Sequence, residues 1–151
     1  MVEFRKIENP FYVKVTREFS ASAHKVFDAW IDPVGIGNWL FSTPDVINKV
    51  CEVDAREGGD FRIGEQRGDE MAMHVGTFHK INRPNQIIFS YHMEPVSDDL
   101  PSNVTVDITE KGEGCTVTIT HEIDYIWAEY ESSAINGWNM IFDGLEKHLM
   151  D

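Results

Sequence analysis

Residues 13–33 read VKVTREFSASAHKVFDAWIDP, and within them the spacing of apolar side chains changes from two to three and four. Val13, Val15 and Phe19 alternate as on a strand with one face turned to a core. Val26, Phe27, Trp30 and Ile31 then recur as the stripe of a short amphipathic helix, with Ser20 or Ser22 placed to cap its first turn. Arg17 shares the apolar face of the strand. A guanidinium is costly to bury alone. It therefore pairs with a core-facing acid, snorkels at the strand end, or meets an anionic group on a ligand.

Working outward, Pro33 sits where a second short helix can start, closed by the bulky cluster Trp39-Leu40-Phe41, although Gly35 and Gly37 weaken it. From about Val46 the period is two. Val50 to Ala55 reads as a strand ended by Gly58-Gly59, Phe61 to Ile63 opens the next, and Gly68-Asp69 turns it back. MAMHVGTFHKI and IIFSYHM flank Arg83-Pro84-Asn85-Gln86, a hairpin with proline in its loop. Val104, Val106 and Ile108 face Val117 and Ile119 across KGEG. A two-residue turn at Gly112-Glu113 sets Val104 opposite His121.

From about Trp127 to Met150 the chain has no proline, and Trp127, Tyr130, Ala134, Trp138, Ile141, Leu145 and Leu149 recur at helical steps. The spacing predicts a helix of about six turns. Gly137 in its middle costs about 1 kcal/mol against alanine, so a close approach to the sheet or to the Trp39 region is expected there. The order is one strand, two short helices, six strands and one long helix. This predicts an α+β fold: a curved antiparallel sheet of about seven strands wrapped around the long C-terminal helix.

The 151 residues hold 42% hydrophobic and 26% charged side chains, with no low-complexity tract or linker, so a single domain spanning 1–151 is expected. The excess of 26 acidic over 13 basic residues gives a formal charge of −13, which repels nucleic acid and anionic headgroups. Cys51 and Cys115 are too few for a disulfide framework and read as small core residues of a reduced protein. No cationic leader precedes an apolar run, and no window approaches membrane-spanning length. The expected protein is soluble and cytoplasmic, with no membrane insertion and no nucleic-acid partner.

These segments resemble a known family. VTREFSASAHKVFDAWIDP looks like its opening, VDAREGGDFR like its strand–Gly-Gly–strand signature, and GTFHKINRPNQIIFSY like its Gly-strand-Pro-strand hairpin. Trp39 matches the tryptophan that follows its second helix, while GCTVTITHE and GWNMIFDGLEKHL match its last strand and Gly-Trp helix. The resemblance is to the heat-shock-protein-90 ATPase activator-like branch of the START/birch-pollen-allergen superfamily, and it covers nearly the whole chain. One departure is Ser-Ala-His after Ala21, where the family usually has a proline. The resemblance implies a helix-grip fold with a cavity between the sheet and the C-terminal helix. It also implies binding of lipids, sterols, hormones or polyketide intermediates, with cyclase or dehydratase activity in some members.

The residues themselves offer little conventional catalysis. His24, His74, His79, His92, His121 and His148 show no ligand spacing, so neither a metal nor another cofactor is expected. There is no nucleophile elbow, and Gly58-Gly59 reads as a turn rather than a phosphate loop. Polar residues do interrupt the predicted concave face, at Arg17, His121, Tyr91, Thr77 and His79. Arg17 and His121 lie on strands that the resemblance makes neighbours. The candidate binding set is Arg17, Trp39, Phe61, Thr77, Phe89, Tyr91, His121 and Trp138. Arg17 and His121 would hold a polar or anionic ligand end, unless His121 donates to a backbone carbonyl. Phe61, Phe89, Tyr91 and Trp138 would hold the apolar body.

The leading expectation is a binder of a small hydrophobic or amphipathic molecule. One alternative is a cyclase/dehydratase-like enzyme, with His121 or His79 transferring protons and Arg17 clamping a carboxylate or enolate. Another is a chaperone-associated module acting through the acidic surface. Exposed strand edges and the helix leave room for a two-fold homodimer.

Overall fold

Strand β1 (Pro10–Phe19) keeps the alternation of its sequence, with Val13, Val15 and Phe19 buried beside half-buried Arg17. A computed structural model describes residues 7–41, 49–94 and 101–150. Of the two candidate caps for helix α1 (Ala23–Ile31), Ser22 serves, its Oγ accepting from the Lys25 amide at 3.2 Å. The helix buries Ala23, Val26, Phe27, Ala29 and Trp30. The expected second helix is only a 3₁₀ turn, Gly35–Asn38. Its two glycines disfavour anything longer. Trp39, Leu40 and Phe41 are buried behind it.

The chain then lays down β2 (Lys49–Val53), β3 (Asp60–Arg67), β4 (Glu70–Asn82), β5 (Gln86–Glu94), β6 (Ser102–Lys111) and β7 (Gly114–Asp124). The expected onset of the strand period at Val46 lies outside the described residues. All pairings are antiparallel, in the order β1-β7-β6-β5-β4-β3-β2, so the first and last strands are neighbours. The hairpin register predicted across KGEG is the observed one, with Val104 opposite His121 and Lys111 opposite Gly114. Gly112 carries φ +60° at the first turn position, a backbone conformation that side-chain-bearing residues resist.

Helix α2 (Glu131–Met150) follows a 3₁₀ segment, Tyr125–Tyr130. Its buried side chains are Trp138, Phe142 and Leu145. Trp127 and Tyr130, expected at the head of the apolar stripe, are exposed in the 3₁₀ segment and pack on each other with ring centres 5.7 Å apart. Phe142 takes their place, packing edge-on against Phe19 at 5.6 Å. Sheet and helix thus enclose one core, which α1 closes from the side.

Two expectations about small residues are corrected. Cys115 is buried, but Cys51 is exposed. It faces the correct side of β2, opposite Ile63, yet β2 is an edge strand beyond the reach of α2. There its Sγ lies 3.4 Å from the Pro33 carbonyl oxygen, just ahead of the 3₁₀ turn. Gly137 makes no close approach, because a Cβ added there would meet nothing within 4 Å. The contact with the Trp39 region is made two turns further along the same face, at Gly144, whose added Cβ would stand 3.2 Å from the Trp39 carbonyl oxygen.

Candidate functional site

The middle of the grip is filled by aromatic side chains. Phe61 is 5.4 Å from Phe78 and 5.5 Å from Phe89, ring centre to ring centre, and Trp30 stands edge-on to Trp39 at 4.8 Å. Phe61 lies over Gly76, its cross-strand partner, where any Cβ would come within 2.4 Å of its ring. Phe61 and Phe89 therefore occupy core volume rather than line free space.

Free space remains under the α2 segment Ser133–Lys147, as a cavity of about 670 Å³. The sheet contributes His74 from β4, Tyr91 from β5 and His121 from β7, and Phe41 enters from the loop side. The opposite wall is the α2 face holding Ala134, Gly137, Trp138 and Ile141, with Asp143 and Lys147 exposed at its rim. Small residues at 134 and 137 leave room that larger ones would fill.

The sheet side of this cavity is stacked aromatic surface. Phe41 lies parallel to the His74 ring at 4.1 Å and 5°, and 5.3 Å from Tyr91 at 23°. Phe41 holds this place with φ +52°, an uncommon conformation for a bulky residue.

His121 is held from two sides. The Trp138 indole donates from Nε1 to His121 Nδ1 at 3.3 Å, and Nε2 lies 2.7 Å from Ser102 Oγ. An indole nitrogen can only donate, so Nδ1 must present its lone pair and Nε2 must carry the hydrogen. His121 Nε2 then donates to the Ser102 hydroxyl. Burial lowers the His121 pKa to about 4, in keeping with a neutral ring. The carbonyl partner considered for His121 from the sequence is replaced by this Trp138–His121–Ser102 chain.

The other candidates lie elsewhere. Arg17 reaches across from β1 to α2, donating to Asp143 Oδ1 at 2.6 Å, Glu146 Oε2 at 3.4 Å and Asn139 Oδ1 at 3.3 Å. Its guanidinium carbon sits 5.4 Å from the Phe142 ring centre. The acid it meets is the protein's own, on the exposed flank of the helix. Thr77 alternates with Gly76 and Phe78 and so faces away from α2, its hydroxyl donating to Asp60 at 2.7 Å. His79 is the extra residue of a β-bulge between the Phe78–Phe89 and Lys80–Ile88 pairs, which sends its ring to Ser90 at 2.8 Å on the same outer face. Trp39 borders a separate depression of about 790 Å³ between α1 and the end of α2, outside the grip. Its walls carry Lys25, Asp28, Asp32 and His148, and Asp28 is engaged by Arg83 at 2.8 Å.

Of the eight candidates, Tyr91, His121 and Trp138 meet at the cavity. Phe41 and His74 were missed. His74 shares the phase of Gly76 and Phe78 and was legible by period two, whereas nothing local marks Phe41 as separate from the core cluster around it. Among the described residues no group of His, Cys, Asp and Glu is placed to hold a metal, and no helix is long and apolar enough to cross a membrane.

Comparison with solved structures places the fold. A putative uncharacterised protein from Rhizobium leguminosarum is 20% identical, with 94% of this chain and 95% of that one covered at a TM-score of 0.79. CalU16 from Micromonospora echinospora is 22% identical, with 91% and 75% covered at 0.69. DynU16, a putative protein of the dynemicin biosynthetic locus, is 16% identical, with 92% and 47% covered at 0.73. No curated protein matches the chain. The family described as Activator of Hsp90 ATPase homolog 1-like protein matches residues 20–150, and the chain belongs to that family.

Proposed function

We propose that this protein binds a small hydrophobic or amphipathic molecule in the cavity between the sheet and α2. The observation that carries the reading is an aromatic-walled space of about 670 Å³ left beside an otherwise filled core. Such a space fits the size range of small-molecule sites, which are mostly apolar with a few placed polar groups. Here the placed polar groups are the His74 and His121 rings, and the apolar surface comes from Phe41, Tyr91, Trp138 and Ile141. The solved neighbour from the dynemicin locus has a context of small-molecule biosynthesis, which agrees with a ligand of this kind.

The test is native mass spectrometry and organic extraction of the purified protein, paired with the cavity-filling variant Gly137→Leu. Open space at Gly137 leaves the added side chain room inside the cavity. The expected result is a co-purifying or added apolar molecule that binds the wild type and is lost from the folded variant. Equal binding by both proteins would place the ligand elsewhere and overturn the reading.

The cyclase/dehydratase alternative needs a histidine that titrates near neutrality beside a free cation. His121 has its pKa lowered to about 4, His79 lies away from the cavity with its ring on Ser90, and Arg17 is engaged by α2. Binding without turnover is therefore the reading we adopt.

A further inference from the structure

The 3₁₀ segment Tyr125–Tyr130 wears its apolar side chains outward. Tyr125, Ile126, Trp127 and Tyr130 are 56%, 66%, 38% and 51% exposed, and no residue of the segment is buried. Ala128, its smallest side chain, is the one turned half inward. Large apolar side chains ordinarily cover a core. Several in succession, standing in solvent, make the kind of patch that marks an interaction surface.

The segment is tied down, so the patch has a fixed shape. The Tyr125 amide donates to the Asn9 carbonyl at 2.8 Å, and the Ile126 amide donates to Asp124 Oδ1 at 3.1 Å. The Tyr125 ring stands edge-on to half-buried Phe11 at 5.9 Å, and the Trp127 and Tyr130 rings pack on each other at 5.7 Å. Rings already ordered in the free protein lose little freedom on binding.

The charge around the patch selects its occupant. Glu122, Asp124, Glu129 and Glu131 lie in or beside the segment, and the chain carries no lysine or arginine from 112 to 146. Glu129 and Glu131 are exposed. A second copy docked patch to patch would bring the same acids together, on top of a net charge of −13. An anionic lipid surface repels these acids, and a zwitterionic one offers them no net counter-charge. A protein segment with lysine or arginine beside apolar side chains answers both features. Its cations meet the acids and lie over the indole and phenol faces, while its apolar side chains cover Ile126 and Tyr125.

We propose that the turn between β7 and α2 docks a basic amphipathic segment of another protein, with Trp127 and Tyr130 as anchors and Glu129 and Glu131 as charge partners. None of these residues lines the cavity, so the docking surface stands independently of the ligand reading.

The experiment is calorimetric titration with a leucine–lysine amphipathic helical peptide, the same peptide with glutamate for lysine, and a serine–lysine peptide of equal charge. It is run on the wild type, on Trp127→Ser/Tyr130→Ser and on Glu129→Lys, with thermal unfolding to show that each variant is folded. The leucine–lysine peptide should bind the wild type at least about tenfold more tightly than either other peptide. It should lose about tenfold in the double variant and severalfold in Glu129→Lys. Equal affinity for the wild type and the double variant would mean that net charge alone holds the peptide, and would overturn the proposal. If the double variant does not fold, Glu129→Lys decides, and unchanged affinity there overturns it. Binding to phosphatidylcholine vesicles, or dimers in sedimentation, that the double variant abolishes would name a different occupant and overturn it too.

Discussion

His121 shows how one ring can be fixed in a single protonation state by its neighbours. Its folded pKa is depressed from 6.5 to about 4 by burial, so below 6.5 the unfolded chain binds a proton that the native state refuses. The stability this neutral ring contributes is present above 6.5 and is lost as pH falls toward 4. One such group is worth about 3 kcal/mol over that window. Denaturant unfolding measured between neutral pH and pH 5 should show this loss. His121→Gln keeps an amide donor for Ser102 and cannot titrate, and its stability should fall by about 1–2 kcal/mol less over the same interval. Equal slopes for the two proteins would show that His121 is not buried in its neutral form. Little of this was legible beforehand. The sequence placed His121 opposite Val104, but the indole that selects its tautomer comes from a helix whose rotation no local pattern states.

At the scale of elements, α2 is held to the sheet by two different devices. Its buried face packs Trp138, Phe142 and Leu145, and its flank is tied to β1 by Arg17 through Asn139, Asp143 and Glu146. Asp143 is 70% exposed and Glu146 55%, so the ion pairs are well solvated and individually worth about 0–1 kcal/mol. The contact of Arg17 over Phe142 adds about 0.5–1 kcal/mol. Arg17→Met, which keeps the stem, should destabilise the fold by about 1–2 kcal/mol in denaturant unfolding, with part of the loss suppressed in the wild type by high salt. The glycines of α2 should behave oppositely. Gly137→Ala relieves helix entropy with no neighbour to strike and should stabilise by about 0.5–1 kcal/mol. Gly144→Ala pushes a methyl to 3.2 Å from the Trp39 carbonyl oxygen and should gain nothing or lose stability. Thermal unfolding of the pair decides this, and a larger gain at 144 than at 137 would mean the helix sits differently. Helical spacing showed that a glycine needed a reason but could not show which of the two touched Trp39.

For the whole molecule, the consequence is a grip that is mostly core and only partly cavity. Phe61, Phe89 and Trp39 fill or flank the packed middle, and the space they leave is the end under Gly137 and Trp138. Cavity-filling at Gly137 should abolish ligand binding without unfolding the protein, which thermal unfolding and titration on the same samples would check. What the sequence determined by itself was the succession of elements, the antiparallel hairpins with their register, and the face on which Val13, Val15, Val104 and His121 lie. These follow from periods of two and 3.6 residues and from turn residues such as Gly112, all of which act over a few positions. The tertiary structure alone decided that Arg17 meets Asp143 and Glu146, that a bulge sends His79 to Ser90, and that Phe41 closes one wall of the cavity. It also decided that Cys51 sits at an uncovered edge. A one-dimensional pattern assigns a side chain to a face. Whether that face is filled, covered or left open depends on sheet curvature, a single bulge and the rotation of α2, which only the packed chain fixes.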